Sequence, residues 1–362
     1  MRNLFTPTFG RMPLILAGRD SLIDKLTNAL VHADTDPNLS SIIVGARGTG
    51  KTVLLSYMAE KASSMGWIPV NVNCAEGMLE DILIQLLRAG REYLDKETQK
   101  ELKGLSLGQL IGLEWEKNPS PQNWRSKITD ILEQLAREDI GVLFTIDEVK
   151  PNTKEMIQFA SIYQHFVREN RKVAVFMAGL PYQVTQLLAD KDVSFLRRAQ
   201  YHSLRRIPEG ASANAMEQTI RHSGRRISND ALIRAVEEAD GFPYMIQLIG
   251  YQIFAENPNA DEITMQDVCA GVVTAKREMA DHIYRVTYME LSDGDLRYLR
   301  AMLPDAKESA TADIAARLNC TPGYASKYRQ RLLEHGVIRT ARRGYVAFDM
   351  PGFREFLKTV EE

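Results

Sequence analysis

Cysteine is scarce in this chain. The three present among 362 residues, Cys74, Cys269 and Cys320, lie far apart and form no C-x-x-C pair. A disulfide framework and a zinc site of paired cysteines are therefore excluded, and a reducing compartment is expected. Long apolar runs are lacking too, none approaching the about 18 residues a membrane-spanning helix needs. The opening MRNLFTPTFGRMPLILAGRD holds an apolar stretch of about five residues, short of a secretory signal core. These absences point to a cytoplasmic protein with no membrane partner. Neither sign of charge is in excess, with 45 Lys and Arg against 47 Asp and Glu, so the whole chain is neither a basic coat nor an acidic tail. Its histidines lack metal-ligand spacing, and no G-x-S-x-G nucleophile elbow occurs. No repeat, low-complexity tract or Ser/Gly linker interrupts the sequence, so its modules should pack closely.

What is present is a composition of 44% apolar and 25% charged residues, which matches an ordinary globular protein of two or three domains. The first 207 residues alternate strand-like and helix-like segments, the pattern of an α/β domain with a parallel sheet. Strands are expected at Ser41–Gly45, Trp67–Asn73, Gly141–Asp147, Lys172–Gly179 and Tyr201–Ile207. The third and fourth are near-continuous apolar runs, as strands buried on both faces require. Helical patterns fill the gaps at Val53–Met65, Met78–Arg88, Trp124–Glu138 and Lys154–Asn170. Gly104–Glu116 departs from this with apolar residues on alternate positions, which suggests an inserted strand or hairpin. From Pro208 to about Thr287 the strand signals stop and helices follow one another. Three modules are expected: residues 1–207, 208–288 and 289–362.

The chemistry is concentrated in Gly45-Ala46-Arg47-Gly48-Thr49-Gly50-Lys51-Thr52, a full G-x-x-x-x-G-K-[ST] match. Glycines let the backbone curl so that successive N–H groups face phosphate oxygens, and the helix opening at Val53 adds its positive N-terminal end. Lys51 would reach the β- and γ-phosphates, and the Thr52 hydroxyl would ligate Mg2+. A buried strand before the loop and a helix after it supply the context the motif needs. The complementary acid stands at the end of Val142-Leu143-Phe144-Thr145-Ile146-Asp147-Glu148. Asp147 would hold the magnesium through water, and Glu148 would orient and activate the attacking water. No [NT]-K-x-D guanine-reading motif occurs, and Asp190-Lys191-Asp192 has the wrong spacing, so adenine is the expected base. ATP and Mg2+ are the ligands this constellation predicts.

The phosphate loop and the Asp-Glu strand resemble the AAA+/STAND branch of P-loop ATPases. Ala17-Gly18-Arg19-Asp20, leading into an amphipathic helix, is similar to the segment that packs near adenine in that branch, which brings Gly18 and Arg19 into the expected nucleotide site. The layout resembles archaeal-type, origin-recognition-like ATPases and a group of bacterial ATP-binding proteins of similar length. The resemblance implies an α/β core with a parallel sheet ordered 5-1-4-3-2, a helical lid and a C-terminal winged helix-turn-helix. Gly241-Phe242-Pro243 resembles the motif that lays a proline, here Pro243, against adenine; an ordinary helix start is the alternative. Two departures stand out. Ala178-Gly179-Leu180 occupies the end of the fourth strand, where the branch carries a polar γ-phosphate sensor, and no lid arginine is evident. Together they imply a slow hydrolyser or nucleotide switch. Arg197 and Arg198 lie where the branch carries an arginine finger, which implies a nucleotide-dependent homo-oligomer; solvated arginines or internal ion pairs are the alternative.

Toward the C-terminus, Ser292–Met302, Ala312–Asn319 and Thr321–His335 read as three helices, followed by strands at Val337–Arg339 and Tyr345–Phe348 around Arg342-Arg343-Gly344. That order is a winged helix-turn-helix. Between Ile314 and Arg343 stand seven Lys and Arg against the single acid Glu334, a local excess of six in a near-neutral chain. Such a footprint points to double-stranded DNA, with Tyr324, Lys327, Arg329 and Arg331 on the third helix and Arg342 and Arg343 on the wing as the candidate contacts. Docking of a protein partner, as in a signalling or scaffolding switch, is the alternative use of the same module.

Overall fold

The computed structural model describes residues 1–8, 10–33, 35–95, 121–151, 153–191 and 193–361; the Gly104–Glu116 insertion lies outside them. Its first layer system is built on five parallel strands: β1 (Ser40–Val44), β2 (Trp67–Asn73), β3 (Gly141–Asp147), β4 (Val173–Gly179) and β5 (Gln200–Ser203). They lie in the order β2-β3-β4-β1-β5, which is the expected 5-1-4-3-2 read from the other edge. Alternation decides which way each side chain faces. Ile42, Val44, Phe144, Ile146, Val175 and Met177 pack on one sheet face with helices α3 (Met78–Ala89), α4 (Pro121–Arg137) and α5 (Lys154–Arg168). Ile43, Leu143, Phe176 and Ala178 pack on the other with α1 (Asp20–Val31) and α2 (Lys51–Ser64). Cover on both faces is why β3 and β4 read as continuous apolar runs. The fifth strand is shorter than its sequence suggests, ending at Ser203; the Leu204 N–H still donates to the Val44 carbonyl of β1, but by Ile207 the backbone donates to the Gly241 carbonyl of the lid instead.

After α6 (Pro181–Ala189) and β5 the chain enters a helical unit of α7 (Glu209–His222), α8 (Asn229–Ala239), α9 (Pro243–Glu256) and α10 (Met265–Met279). The expectation of helices alone needs a small correction. Arg226–Ile227 (β6) and Glu262–Ile263 (β7) pair as two-residue parallel strands, too short to leave a periodic signal. Helix continues past α10 through a wide turn at Ala280–Tyr284 into α11 (Arg285–Glu290).

The remaining elements follow the expected order: α12 (Asp293–Met302), α13 (Thr311–Arg317), α14 (Pro322–Glu334), β9 (Ile338–Arg342), β10 (Tyr345–Phe348) and α15 (Phe353–Glu361). A further short strand, β8 (Ser309–Ala310), pairs with β10 and completes a three-stranded sheet in the order β8-β10-β9. Thr321 caps α14 through its hydroxyl and Pro322 occupies the first turn, as its sequence predicts. The lid helices and these C-terminal elements share one apolar core, which also takes in Phe5 from the N-terminus and Ala46 of the phosphate loop.

Candidate nucleotide site

The loop after β1 leaves the carboxyl end of the sheet between β4 and β5, the place where an open α/β sheet offers a crevice. Gly48 and Gly50 take left-handed backbone, with φ of 77° and 87°, so the sequence needs glycine there. A Cβ on Gly48 would stand 2.7 Å from the Phe242 ring, and one on Gly45 would stand 2.5 Å from Thr49 Oγ1. Thr49 Oγ1 donates to the Ala46 carbonyl at 2.8 Å and closes the loop on itself. Lys51, at the first position of α2, donates from Nζ to the Gly45 and Ala46 carbonyls at 2.9 Å each. Burial pushes its ammonium down to about 8; Asp147 draws it back up, Arg47 lowers it further and Glu148 raises it.

Asp147 ends β3, across β4 from the loop. Its Oδ2 accepts from Thr52 Oγ1 at 2.5 Å, which brings together the two oxygens expected to serve one cation. Glu148 follows in left-handed backbone at φ 50°, a conformation costing a residue with a side chain about 1–2 kcal/mol. Its own N–H donates to Asp147 Oδ1 at 2.8 Å, and the Val149 N–H donates to the Ala178 carbonyl at 2.8 Å, so both flanks of the strained residue are tied down. The Glu148 side chain is exposed to the crevice and lies 3.7 Å from Lys150 Nζ.

The loop from Arg47 to Thr52, with Asp147 and Glu148, lines a cleft of about 910 Å³ together with Arg19, Gly179, Leu180, Gln183 and Pro243. Arg19 acts on the loop as much as on the cleft. Its buried guanidinium donates to the Thr49 carbonyl at 3.4 Å and the Arg205 carbonyl at 2.7 Å, pinning the loop to the segment after β5. Gly18, at φ 63°, packs on Ile207 and Pro208 and shapes the wall behind the cleft. Pro243 opens α9 with Phe242 as N-cap, and the next residue, Tyr244, donates its N–H to the Gly48 carbonyl at 3.2 Å. Lid and phosphate loop are thus in direct backbone contact.

Several contributors carry no sequence signal. N-terminal residues, Thr6, Pro7, Thr8 and several between Gly10 and Ala17, form one wall of the cleft; Phe5 just before them inserts against Gly250 of α9, and the Thr6 N–H donates to Gln247 Oε1 at 3.0 Å. Arg47 pairs with Glu290, at the end of α11, at 2.6 Å. Gly336, between α14 and β9, lies so close to the loop that a Cβ there would stand 2.7 Å from Ala46 Cβ. Beside it His335 stacks on Tyr182 of α6, ring centroids 4.1 Å apart. Arg206 bonds to Asp240 of the lid and to the Asp349 carbonyl near the C-terminus.

The other candidates are elsewhere. Arg197 caps the carboxyl end of α6, donating to the Leu188, Ala189 and Asp190 carbonyls at 2.8, 3.4 and 3.3 Å, while Arg198 is exposed. Of the six candidate DNA contacts, Arg331 turns inward to the fully buried Asp295 at 2.9 Å. Arg342 pairs with Glu308 at 2.9 Å and lies over the Tyr345 ring. The Arg329 Nε is buried, and Lys327, Arg343 and Tyr324 are exposed. The charge count cannot see these internal pairings, because Asp295 and Glu308 lie before the stretch that was counted.

Comparison with known proteins agrees with the geometry. Residues 35–188 match the family model described as an AAA domain, and residues 281–357 match one described as a domain of unknown function (DUF8462). No curated protein matches the chain. Among solved structures, the Walker-type ATPase of Pyrococcus abyssi is similar over 94% of this chain and 95% of its own, at TM-score 0.66 and 15% identity. The Aeropyrum pernix ORC2 protein, in ADPNP–ADP complexes, is similar over 99% and 97%, at TM-score 0.62 and 15% identity. Cdc6p of Pyrobaculum aerophilum is similar over 99% and 97%, at TM-score 0.51 and 14% identity. The chain carries an AAA-type P-loop domain, and its fold is that of the origin-recognition-like AAA+ ATPases. Among the described residues, no helix is long and apolar enough to cross a membrane.

Proposed function

We propose that this protein is an ATP-binding AAA+/STAND-like ATPase whose nucleotide state sets the posture of a C-terminal winged helix that binds duplex DNA. Residues 1–207 act as the ATPase core, 208–288 as the lid and 289–362 as the winged helix. The observation that carries the proposal is the contact of both the lid and the C-terminal module with the phosphate loop: Tyr244 on Gly48, and Gly336 on Ala46. A ligand seated on that loop cannot change its backbone without moving one or both. Adenine nucleotide suits the cleft, and the neighbour of known fold in ADPNP–ADP complexes is consistent with it.

In this assignment Gly45, Ala46, Arg47, Gly48, Thr49, Gly50, Lys51, Thr52 and Val53 cradle the phosphates, the last seven lining the cleft itself; Arg19 and Pro243 line it toward the base, with Gly18 behind them. Thr52 and Asp147 offer a hydroxyl and a carboxylate already side by side, a hard oxygen set that fits magnesium. Bound there, the ion would neutralise charge on the phosphates. Glu148, held at a fixed backbone angle and open to the cleft, orients and deprotonates the attacking water. The apolar end of β4, with Ala178 fully buried, supports slow turnover. Arg198 is the arginine left available to act on a neighbouring subunit, since Arg197 is committed to the end of α6. Lys327, Arg343 and Tyr324 are the exposed candidates for DNA.

Internal pairing of Arg331 and Arg342 favours a second use of the module, the docking of a protein partner, because it neutralises two of the cations that DNA would meet. ATP turnover measured with and without duplex DNA, over a series of protein concentrations, separates the two. Stimulation by DNA, with activity rising faster than concentration, supports a DNA-directed, self-associating ATPase. Bound nucleotide with turnover indifferent to DNA and to concentration rejects it in favour of the protein-docking switch.

A further inference from the structure

The phosphate loop places a second cation beside Lys51. Arg47 and Lys51 stand four residues apart on one loop, and both line the same cleft. Lys51 is the residue expected to meet the β- and γ-phosphates, so the Arg47 guanidinium works within reach of the terminal phosphate position. Its present partner is Glu290, 2.6 Å away, and both side chains are about one-third exposed. An ion pair so open to solvent is weak. A terminal phosphate carries more charge than one carboxylate and accepts a guanidinium in bidentate fashion, so it competes effectively for Arg47.

Glu290 is not an isolated surface acid. It is the last residue of α11, two residues before the Ser292 cap of α12, and so it stands where the lid hands over to the C-terminal module. Within the same junction, His335 stacks on Tyr182, and Gly336 rests on Ala46, the residue before Arg47. Burial raises the pKa of Tyr182, and Glu290 raises it further while Arg47 lowers it, so all these groups share one field. The end of β4 offers no polar group at the strand terminus, where Ala178, Gly179 and Leu180 stand.

We infer that Arg47 is the residue by which this protein distinguishes a nucleoside triphosphate from a diphosphate, and that it does so by exchanging Glu290 for the terminal phosphate. The exchange frees the carboxylate that ties the junction of lid and C-terminal module to the loop. A diphosphate, which lacks the terminal group, leaves the Arg47–Glu290 pair in place. This inference rests on the nucleotide-site assignment proposed above.

The test measures affinity for mant-ATP and mant-ADP, with magnesium, in wild type, Arg47→Ala, Glu290→Gln, the double variant and Lys51→Ala. Arg47→Ala is expected to lower the ATP-to-ADP affinity ratio by about tenfold, the scale of one charge-assisted contact. Glu290→Gln should raise that ratio, and the double variant should resemble Arg47→Ala. Both side chains are partly exposed, so neither change should disturb folding. Hydrogen exchange over residues 331–338 should increase with a non-hydrolysable ATP analogue, not with ADP, and only while Arg47 is present. Equal weakening of both nucleotides by Arg47→Ala, or an unchanged ratio in Glu290→Gln, overturns the inference while leaving the nucleotide site standing. If Lys51→Ala binds like wild type, or wild type binds neither probe, the site assignment fails and the inference falls with it.

Discussion

Replacing Gly48 by alanine tests whether lid and phosphate loop are packed as one surface. Gly48 takes φ 77°, and its missing Cβ would stand 2.7 Å from Phe242 Cε1 and 3.2 Å from Tyr244 Cβ. Phe242 is buried in the lid core, so its ring shifts only by disturbing packed neighbours. Two costs therefore arise. The left-handed backbone costs about 1–2 kcal/mol once a Cβ is present, and this cost falls on the folded protein whether or not nucleotide binds. Overpacking against Phe242 costs about 1–3 kcal/mol, and it is relieved by lifting the lid and giving up the Tyr244 N–H bond to Gly48. That second cost opposes any ligand that needs both surfaces, so nucleotide affinity should fall about 5- to 150-fold. Gly66 is the matched control, with φ 79° and nothing within 4 Å of its would-be Cβ. Gly66→Ala should lose a similar backbone increment in thermal denaturation and keep wild-type nucleotide affinity by calorimetric titration. Equal nucleotide affinity in the two variants would refute the packing argument.

Further outcomes follow from the same geometry. Lys51→Ala should abolish nucleotide binding in the same titration. Lys51 should also make binding pH-dependent. Burial lowers its proton affinity, so the folded protein loses the proton near pH 8, while the unfolded chain keeps it to about 10.5. In that window the unfolded state holds more protons, so stability rises with pH as the desolvation cost is relieved. Phosphate needs the ammonium, however, so nucleotide affinity should fall from pH 7 to pH 9, with proton uptake on binding above pH 8; equal affinity at the two values would contradict this. Arg331→Ala removes the partner of the fully buried Asp295 and should destabilise the C-terminal module by about 3 kcal/mol, seen as faster proteolysis after α11. An Asp295→Asn, Arg331→Leu double change should cost less, because no buried charge is left behind.

The parts of this molecule that sequence reveals are those whose chemistry is local. Gly45–Thr52 is legible because a phosphate-facing turn needs glycine at Gly48 and Gly50 and a lysine one residue later. Asp147 and Glu148 are legible because an apolar strand that ends in two carboxylates is unusual at a sheet end. Nothing local marks Arg47 for Glu290, 243 residues away, or Gly336 for Ala46. Charge counting fails for a related reason. Four arginines of the basic stretch from Ile314 to Arg343 pair with acids outside it: Arg317 with Asp305, Arg331 with Asp295, Arg339 with Asp349 and Arg342 with Glu308. The paired strands β6, β7 and β8 are two residues each, shorter than any period that reports them. The N-terminal wall of the cleft is set by Phe5 entering the space that Gly250 leaves on α9, a fit visible only in three dimensions.

The most direct test of the central claim is a single-turnover ATP hydrolysis measurement on wild type and Glu148→Gln, with binding followed in the same samples. Wild type should bind and hydrolyse ATP. The variant should bind with similar affinity and hydrolyse about 10²- to 10⁴-fold more slowly, the usual contribution of a positioned general base. Hydrolysis by Glu148→Gln at the wild-type rate, or ATP that is bound by neither, would contradict the assignment of this cleft.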